Sequence, residues 1–291
     1  MLTTQEPCIT IRPSTMDDAA ACGRICFDAF DAINRAHGFP CDFATPEAAA
    51  EAITMPFSNP GFFCVVAEME GRIVGSNCVD MRSVIAGVGP ITVAPGVQNQ
   101  HLGRRLMHAV LDHARERGSA GVRLVQAAFH NRSMSLYTSL GFHVREPLSC
   151  LQGRTAQRSV PGCPVRPAGP GDLEACDALC RQVHGFDRGG ELAQAVRQGT
   201  ALVVEREGRI TGYASDLAIF GHTAAESNLD LQALIASADG FGGAGILVPT
   251  RNQALFRWCL AQGLRVVEPM TLMSTGLYSE PDGAWLPSIA F

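Results

Sequence analysis

The chain spells one pattern twice, and that repeat limits its fold more than any other feature. PVRPAGPGDLEACDALC echoes ITIRPSTMDDAAACGRIC, EREGRITGYA echoes EMEGRIVGSN, and TRNQALFRWCLAQGLRV echoes FHNRSMSLYTSLGFHV. Each copy orders its apolar runs as strand, helix, paired strands, helix, strand, short helix and strand. The turn at Glu70-Gly71 reads as a hairpin. The expected class is therefore α/β with mixed sheets, in two tandem copies. The boundaries fall at 1–152 and 164–291, with the Gly- and Pro-containing stretch 153–163 as a linker. At 291 residues each copy has enough chain to bury a core.

The stretch ITVAPGVQNQHLGRR, 91–105, bears the clearest chemistry of the first copy. An apolar strand ends at Pro95, a glutamine-rich turn follows, and Gly103 opens an amphipathic helix. A helix start leaves backbone N–H groups unpaired and carries partial positive charge, so it suits an anion. Gly103 permits close approach to the backbone, and Arg104 and Arg105 add charge. Along the helix, Leu102, Leu106, Val110 and Ala114 mark the buried stripe, with Arg105, His108, Asp112 and Arg115 turned outward. After the strand GVRLVQAAF, a second short helix places Tyr137 ahead of Gly141-Phe142.

The order strand, Gln98-Asn99-Gln100-His101-Leu102-Gly103, helix resembles the Q-x-x-G-x-G/A loop of GNAT superfamily N-acetyltransferases. His101 stands at the first glycine of that motif and Arg105 where a small residue is usual. The resemblance implies an N-acetyltransferase that uses acetyl-CoA as co-substrate and needs no metal. It implies that Gln98, Asn99, Gln100, His101, Leu102, Gly103 and Arg104 hold the pyrophosphate. It also implies that Ile91, Thr92 and Val93 offer main-chain groups to the pantetheine arm and the thioester carbonyl. Tyr137 falls at the position of the tyrosine that protonates the departing thiolate. His130 falls at the family's Asn position, with Asn131 one step later. Read by its spacing alone, Tyr137 is equally an amphipathic core residue.

The strand from Gly87 to Val93 carries no carboxylate, so the base that deprotonates the amine stays open among Asp80, Asp31, His37, His130 and a water chain. Asp80 leads the side-chain candidates. The helices from Asp28 to Met55 present Asp28, Asp31, His37, Asp42, Glu47 and Glu51 against Arg35. They form either an acidic mouth for a cationic amine or two solvated helix faces. The expected acceptor is the primary amine of a small molecule. The alternatives are a protein or peptide amine, or a non-catalytic acyl-CoA-binding sensor.

In the second copy Cys259 replaces Tyr137, and no Gln-x-x-Gly-x-Gly loop follows the paired strands. Gly240–Gly245 satisfies G-x-G-x-x-G but precedes a strand instead of opening a helix, so it is not a dinucleotide site. This half resembles the C-terminal domain of a bacterial subset of GNAT enzymes, an expected structural or substrate-shaping module and a possible homodimer surface. Its polar cluster comprises His184, Asp187, Arg188 and Glu191. The tail holds Trp285, Ile289 and Phe291, too apolar to stay solvated; it either walls a pocket with Tyr278 or adds an edge strand.

Composition removes other classes. All 23 Lys+Arg residues are arginine, so Walker-A, Schiff-base and kinase-type lysines are impossible. A net charge of −5 without a basic stripe argues against nucleic acid. Eleven cysteines without a C-x-x-C pair, and no zinc spacing, read as reduced thiols. No run is long enough to span a bilayer, so a cytoplasmic protein is expected.

Overall fold

The computed structural model describes residues 9–98 and 100–289. By packing, the chain forms two compact units. One comprises residues up to 81 together with 86–122, the other 82–85 together with 123–291.

The first unit contains β1 (Ile9–Pro13), α1 (Ala19–His37), α2 (Pro46–Ser58), β2 (Phe62–Met69), β3 (Arg72–Asp80), β4 (Ile85–Val88, from Ala86), β5 (Thr92–Val93) and α3 (Leu102–Glu116). β1, β2 and β3 form an antiparallel ladder, and β4 and β5 both pair with the free side of β3. The β2–β3 turn sits where Glu70-Gly71 is expected, with φ of 52° and 74°. Both central residues of a type I′ hairpin need that region. α1 and α2 bury Cys22, Cys26, Ala49 and Ile53 against Val66 of β2. Phe63, of opposite parity on the same strand, stacks on His113 of α3 at 3.8 Å. Helices therefore cover both faces of this sheet. The expected stripe of α3, Leu102, Leu106, Val110 and Ala114, is buried throughout.

The second unit contains β6 (Gly121–Ala127, from Arg123), α4 (Asn131–Ser139), β7 (His143–Gln152), β8 (Val165–Pro167), α5 (Leu173–His184), α6 (Gly189–Gln198), β9 (Leu202–Arg206), β10 (Arg209–Ala214), β11 (Thr223–Ala225), α7 (Asn228–Ser237), β12 (Ile246–Pro249), α8 (Gln253–Ala261), β13 (Arg265–Gly276) and β14 (Ala284–Leu286). Five strands run in the order β14-β11-β10-β9-β8, and four in the order β6-β13-β7-β12. The second order is an exchange. β7 belongs to the first sequence copy yet lies between β13 and β12 of the second, and β13 lies beside β6. Packing units and sequence copies thus trace different boundaries. Residues 153–163 lack regular structure but are packed, with Val160 and Cys163 buried against Val204, Ala233 and Leu234.

The copies match to the level of single bonds. Arg12 grips Asp18 at 2.8 and 2.8 Å and reaches Glu68; Arg166 grips Asp172 at 2.7 and 2.8 Å and reaches Glu205. Each aspartate also accepts the amide three residues earlier, Thr15 or Gly169. The arginine hydrogen bond is the largest influence lowering both carboxyls, to about 2. Glu207-Gly208 repeats the Glu70-Gly71 turn with φ of 55° and 76°.

The tail takes the simpler of its two expected forms. β14 adds antiparallel to β11 and buries Trp285, and the Ile289 amide donates to the Ile219 carbonyl. Phe291 lies outside the described residues.

Candidate active site

In the first unit the expected splayed strand is a bulge. β4 pairs Val79 with Val88, whereas β5 pairs Ser76 with Thr92, so the two registers differ by one residue. The extra residue falls in Gly89-Pro90-Ile91, and such an insertion bends the strand out of the ladder. Hydrogen bonds from Gly89 N to Cys78 O and from Ala94 N to Val74 O fix both ends. Gly75 makes the close approach possible, because a Cβ there would stand 2.7 Å from the Thr92 carbonyl oxygen.

A 3-10 turn over Pro95–Val97 leads into the loop. The Gln98 carboxamide donates to the Val93 carbonyl at 3.2 Å, which ties the loop back to the bulged strand. Asn99 lies outside the described residues, and Gln100 is exposed. His101 is the N-cap of α3 with φ 58° and ψ 10°, the left-handed region that a glycine enters freely. Arg105 N closes the first helical bond to His101 O, so the amides of Leu102, Gly103 and Arg104 are the helix-start donors. No acidic residue lies in that first turn. The guanidinium of Arg105 is engaged with the Ile9 carbonyl at 2.8 Å.

In the second unit, His130 caps α4. Its Nδ1 accepts the Ser133 amide at 3.2 Å, which places the proton of a neutral ring on Nε2. Asn252 caps α8 likewise, accepting from Leu255 N, so His130 and Asn252 hold the same station in the two copies. Asn131 is the first helical residue. Tyr137 is buried, hydrogen-bonded with Ser133, and its phenol is pushed up to about 12 by burial. It thus keeps its proton at neutral pH, as a general acid must before transfer. Gly141, at φ 86°, ends the helix and lets Phe142 N reach Tyr137 O. Gly263 and Leu264 do the same around Cys259.

Among the base candidates, Asp80 ends β3 opposite Phe62 and Gly87, half-buried. Asp31 is paired with Arg35 at 2.8 Å, and the His37 ring meets the Ile33 carbonyl at 2.9 Å. Asp28 is paired with Arg24. Two of the five acids expected at the mouth, Asp28 and Asp31, are thus matched by arginine on their own helix.

The second copy has no counterpart of the anion loop. The amide end of α7 is flanked by Glu226 and by buried Asp230, which accepts from Ser227 and Thr211 and pairs with Arg206. Beside it a cavity of 370 Å³ is lined by Glu146, Glu226 and Glu280, and its one arginine, Arg251, is held by Glu146 and Glu280. Such a lining repels phosphate. Gly242, Gly243 and Gly245 serve packing: a Cβ would stand 2.8 Å from Ala218, 2.9 Å from Ile219 and 2.1 Å from the Leu151 carbonyl oxygen.

Sequence reasoning passed over Arg123 on β6. It is 1% exposed, with its guanidinium 5.0 Å from the Phe186 ring and 5.1 Å from that of Tyr278. The only signal was a charged residue in an otherwise apolar strand. The cluster noted around His184 extends inward. Arg188 pairs with Glu191, Glu191 meets His222 Nδ1 at 2.8 Å, and His222 Nε2 meets the Tyr213 hydroxyl at 2.8 Å.

Among the described residues no group of three or more His, Cys, Asp or Glu side chains is placed to hold a metal ion, and no helix is long and apolar enough to cross a membrane.

Residues 28–142 match the model of the acetyltransferase (GNAT) family. No curated protein matches the chain by sequence. Among solved structures, a candidate acetyltransferase from Pyrococcus horikoshii is similar over 97% of this chain and 94% of its own, at 19% identity and TM-score 0.71. A GCN5-related N-acetyltransferase from Sphaerobacter thermophilus covers 94% and 96%, at 17% identity and TM-score 0.63. A tandem GNAT protein of the clavulanic acid biosynthesis pathway covers 92% and 98%, at 13% identity and TM-score 0.55. These likenesses concern the fold, and they run through both copies.

Proposed function

We propose that this chain, whose residues 28–142 match the acetyltransferase (GNAT) family model, transfers the acetyl group of acetyl-CoA to the primary amine of a small molecule. The observation that carries the reading is the start of α3, where three helix-start amides follow a left-handed turn with no acidic residue in the first helical turn. Main-chain groups of Gln98 to Arg104 would hold the pyrophosphate, and the bulged strand Ile91–Val93 would pair with the pantetheine arm. A main-chain N–H of that strand would also stabilise the oxyanion that forms as the amine attacks the thioester. Tyr137 then protonates the leaving thiolate. His130 acts through the backbone of α4, holding Tyr137 in place. Asp80 remains the side-chain candidate for the base, beside a water chain.

In this reading 1–152 is the catalytic copy and 164–291 the diverged one, which holds no coenzyme A and shapes the acceptor side. Titration calorimetry with acetyl-CoA tests the first half of the proposal, and thiol release over a panel of amines tests the second. Micromolar binding with turnover on small amines is expected. Absence of acetyl-CoA binding ends the proposal, and efficient acetylation of folded proteins alone would shift the acceptor class.

A further inference from the structure

The cavity beside α7 holds a buried carboxylate that the roles above leave unused. By strand alternation Glu146 of β7 shares a face with Leu148 and Cys150, both in the core. A carboxylate thus stands where an apolar side chain would continue the stripe, and Glu146 is only 3% exposed. Its Oε2 accepts Nε of Arg251 at 2.8 Å and also Nη2. Its Oε1 has no hydrogen-bond partner among the described residues. Leaving such an atom unsatisfied is costly, and native proteins rarely do so without a ligand, an ion or a water in view. The side chain lines a cavity of 370 Å³, a volume that suits a small molecule.

The charges decide the sign of the ligand. Glu226 is gripped by Arg209 and reached by Arg206, which buried Asp230 shares, so those four charges balance. Glu146 and Glu280 share Arg251, and one negative charge is left over. Asp230 also opposes the positive end of α7 from within its first turn. In chain order α7 stands where α3 stands in the first copy, whose first turn has no acid, so this helix start has reversed its sign. Asn228 and Asn252 bond each other reciprocally at 3.0 and 2.8 Å and pin the starts of α7 and α8 together as a polar floor. Trp285, Pro249 and Pro281 add an apolar wall, and an indole face attracts cations. Among the described residues no three acidic, histidine or cysteine side chains are placed to hold a metal ion, which leaves an organic cation. The Oε1 of Glu146 needs a donor, so that cation carries N–H groups.

We propose that this cavity of the second copy binds a small organic cation through its ammonium, amidinium or guanidinium end, with Oε1 of Glu146 accepting the hydrogen bond and Trp285 walling the stem. None of the residues given a role in acetyl transfer lines the cavity. The inference therefore goes beyond that function and stands or falls separately from it.

Trp285 can report on the site, because Trp258→Phe leaves it the sole tryptophan of the full chain. Its emission is followed without acetyl-CoA, at constant ionic strength, as benzylamine or benzamidine is added. A saturable change is expected, and the tighter of the two tells ammonium from amidinium. Three controls should bind at least about tenfold more weakly: neutral benzamide, anionic benzoate, and phenyltrimethylammonium, which has no N–H to donate. Glu146→Gln keeps an acceptor for Arg251 but removes the charge, and should weaken the cation about 10–100-fold. Arg251→Gln removes the resident cation instead. Its Tm should fall, and benzamidine should raise that Tm by more than it raises the wild type's. No saturable change with either cation, a control that binds as tightly, or unaltered affinity in Glu146→Gln would each refute the site. Should Glu146→Gln fail to fold, Arg251→Gln decides: a benzamidine shift no larger than the wild type's overturns the proposal.

Discussion

His101 carries a penalty that its neighbours do not. A side chain held at φ 58° costs about 1 kcal/mol against the ordinary helical region, and glycine avoids that cost. His101→Gly should therefore raise stability by up to about 1 kcal/mol, read as a higher urea midpoint at unchanged slope. A lower midpoint would show that the imidazole makes a compensating contact. Gly75 is the converse case. Alanine there meets a main-chain oxygen at 2.7 Å, so Gly75→Ala should cost about 1–3 kcal/mol and weaken acetyl-CoA binding with it. Tyr137→Phe removes only a hydroxyl, and turnover should fall about 10²–10⁴-fold with calorimetric affinity for acetyl-CoA retained. Full activity in that variant would return Tyr137 to the packing role that its burial also permits.

At the scale of elements, turns and caps were the most legible parts. Glu70-Gly71 and Glu207-Gly208 announce hairpins because both positions must take positive φ, a demand that local chemistry alone expresses. The stripe of α3 was legible for a similar reason, since a 3.6-residue period belongs to one helix by itself. The bulge at Gly89-Pro90-Ile91 was not. It is a difference between two registers on β3, and register depends on a partner strand that no local pattern names. Arg123 escaped for the same reason, because a strand's alternation assigns a face without saying what lies across it. The matched clamps Arg12–Asp18 and Arg166–Asp172 predict a shared acid transition. Each aspartate is lowered to about 2 in the fold from an ordinary value near 3.8. The unfolded chain therefore takes up these protons first, and stability is lost as pH falls from about 4 toward 2. Asp18→Asn and Asp172→Asn should each flatten that part of a Tm-against-pH curve.

For the whole molecule a second, milder acid window is expected. His184 and His222 are both lowered from 6.5, chiefly by burial. Below about 6.5 the unfolded chain binds protons that the folded one refuses, so the Tm should begin to fall there. His184→Leu should remove part of that slope, whereas a curve flat down to pH 5 would mean that neither imidazole is desolvated. The exchange of β7 and β13 has a consequence in time. β7 leaves the ribosome about 120 residues before β13, a wait of roughly 6–25 s at ordinary synthesis rates. β12 is made only shortly before β13, so for most of that wait β7 has no partner strand, and a fragment ending near Gly153 keeps that state permanently. The first copy should not mature as a nascent chain on its own. Arrested chains of about 160 residues should stay protease-sensitive and bind chaperones, and two chains that finish synthesis side by side from that stage can exchange β12 and β13 as a domain-swapped pair.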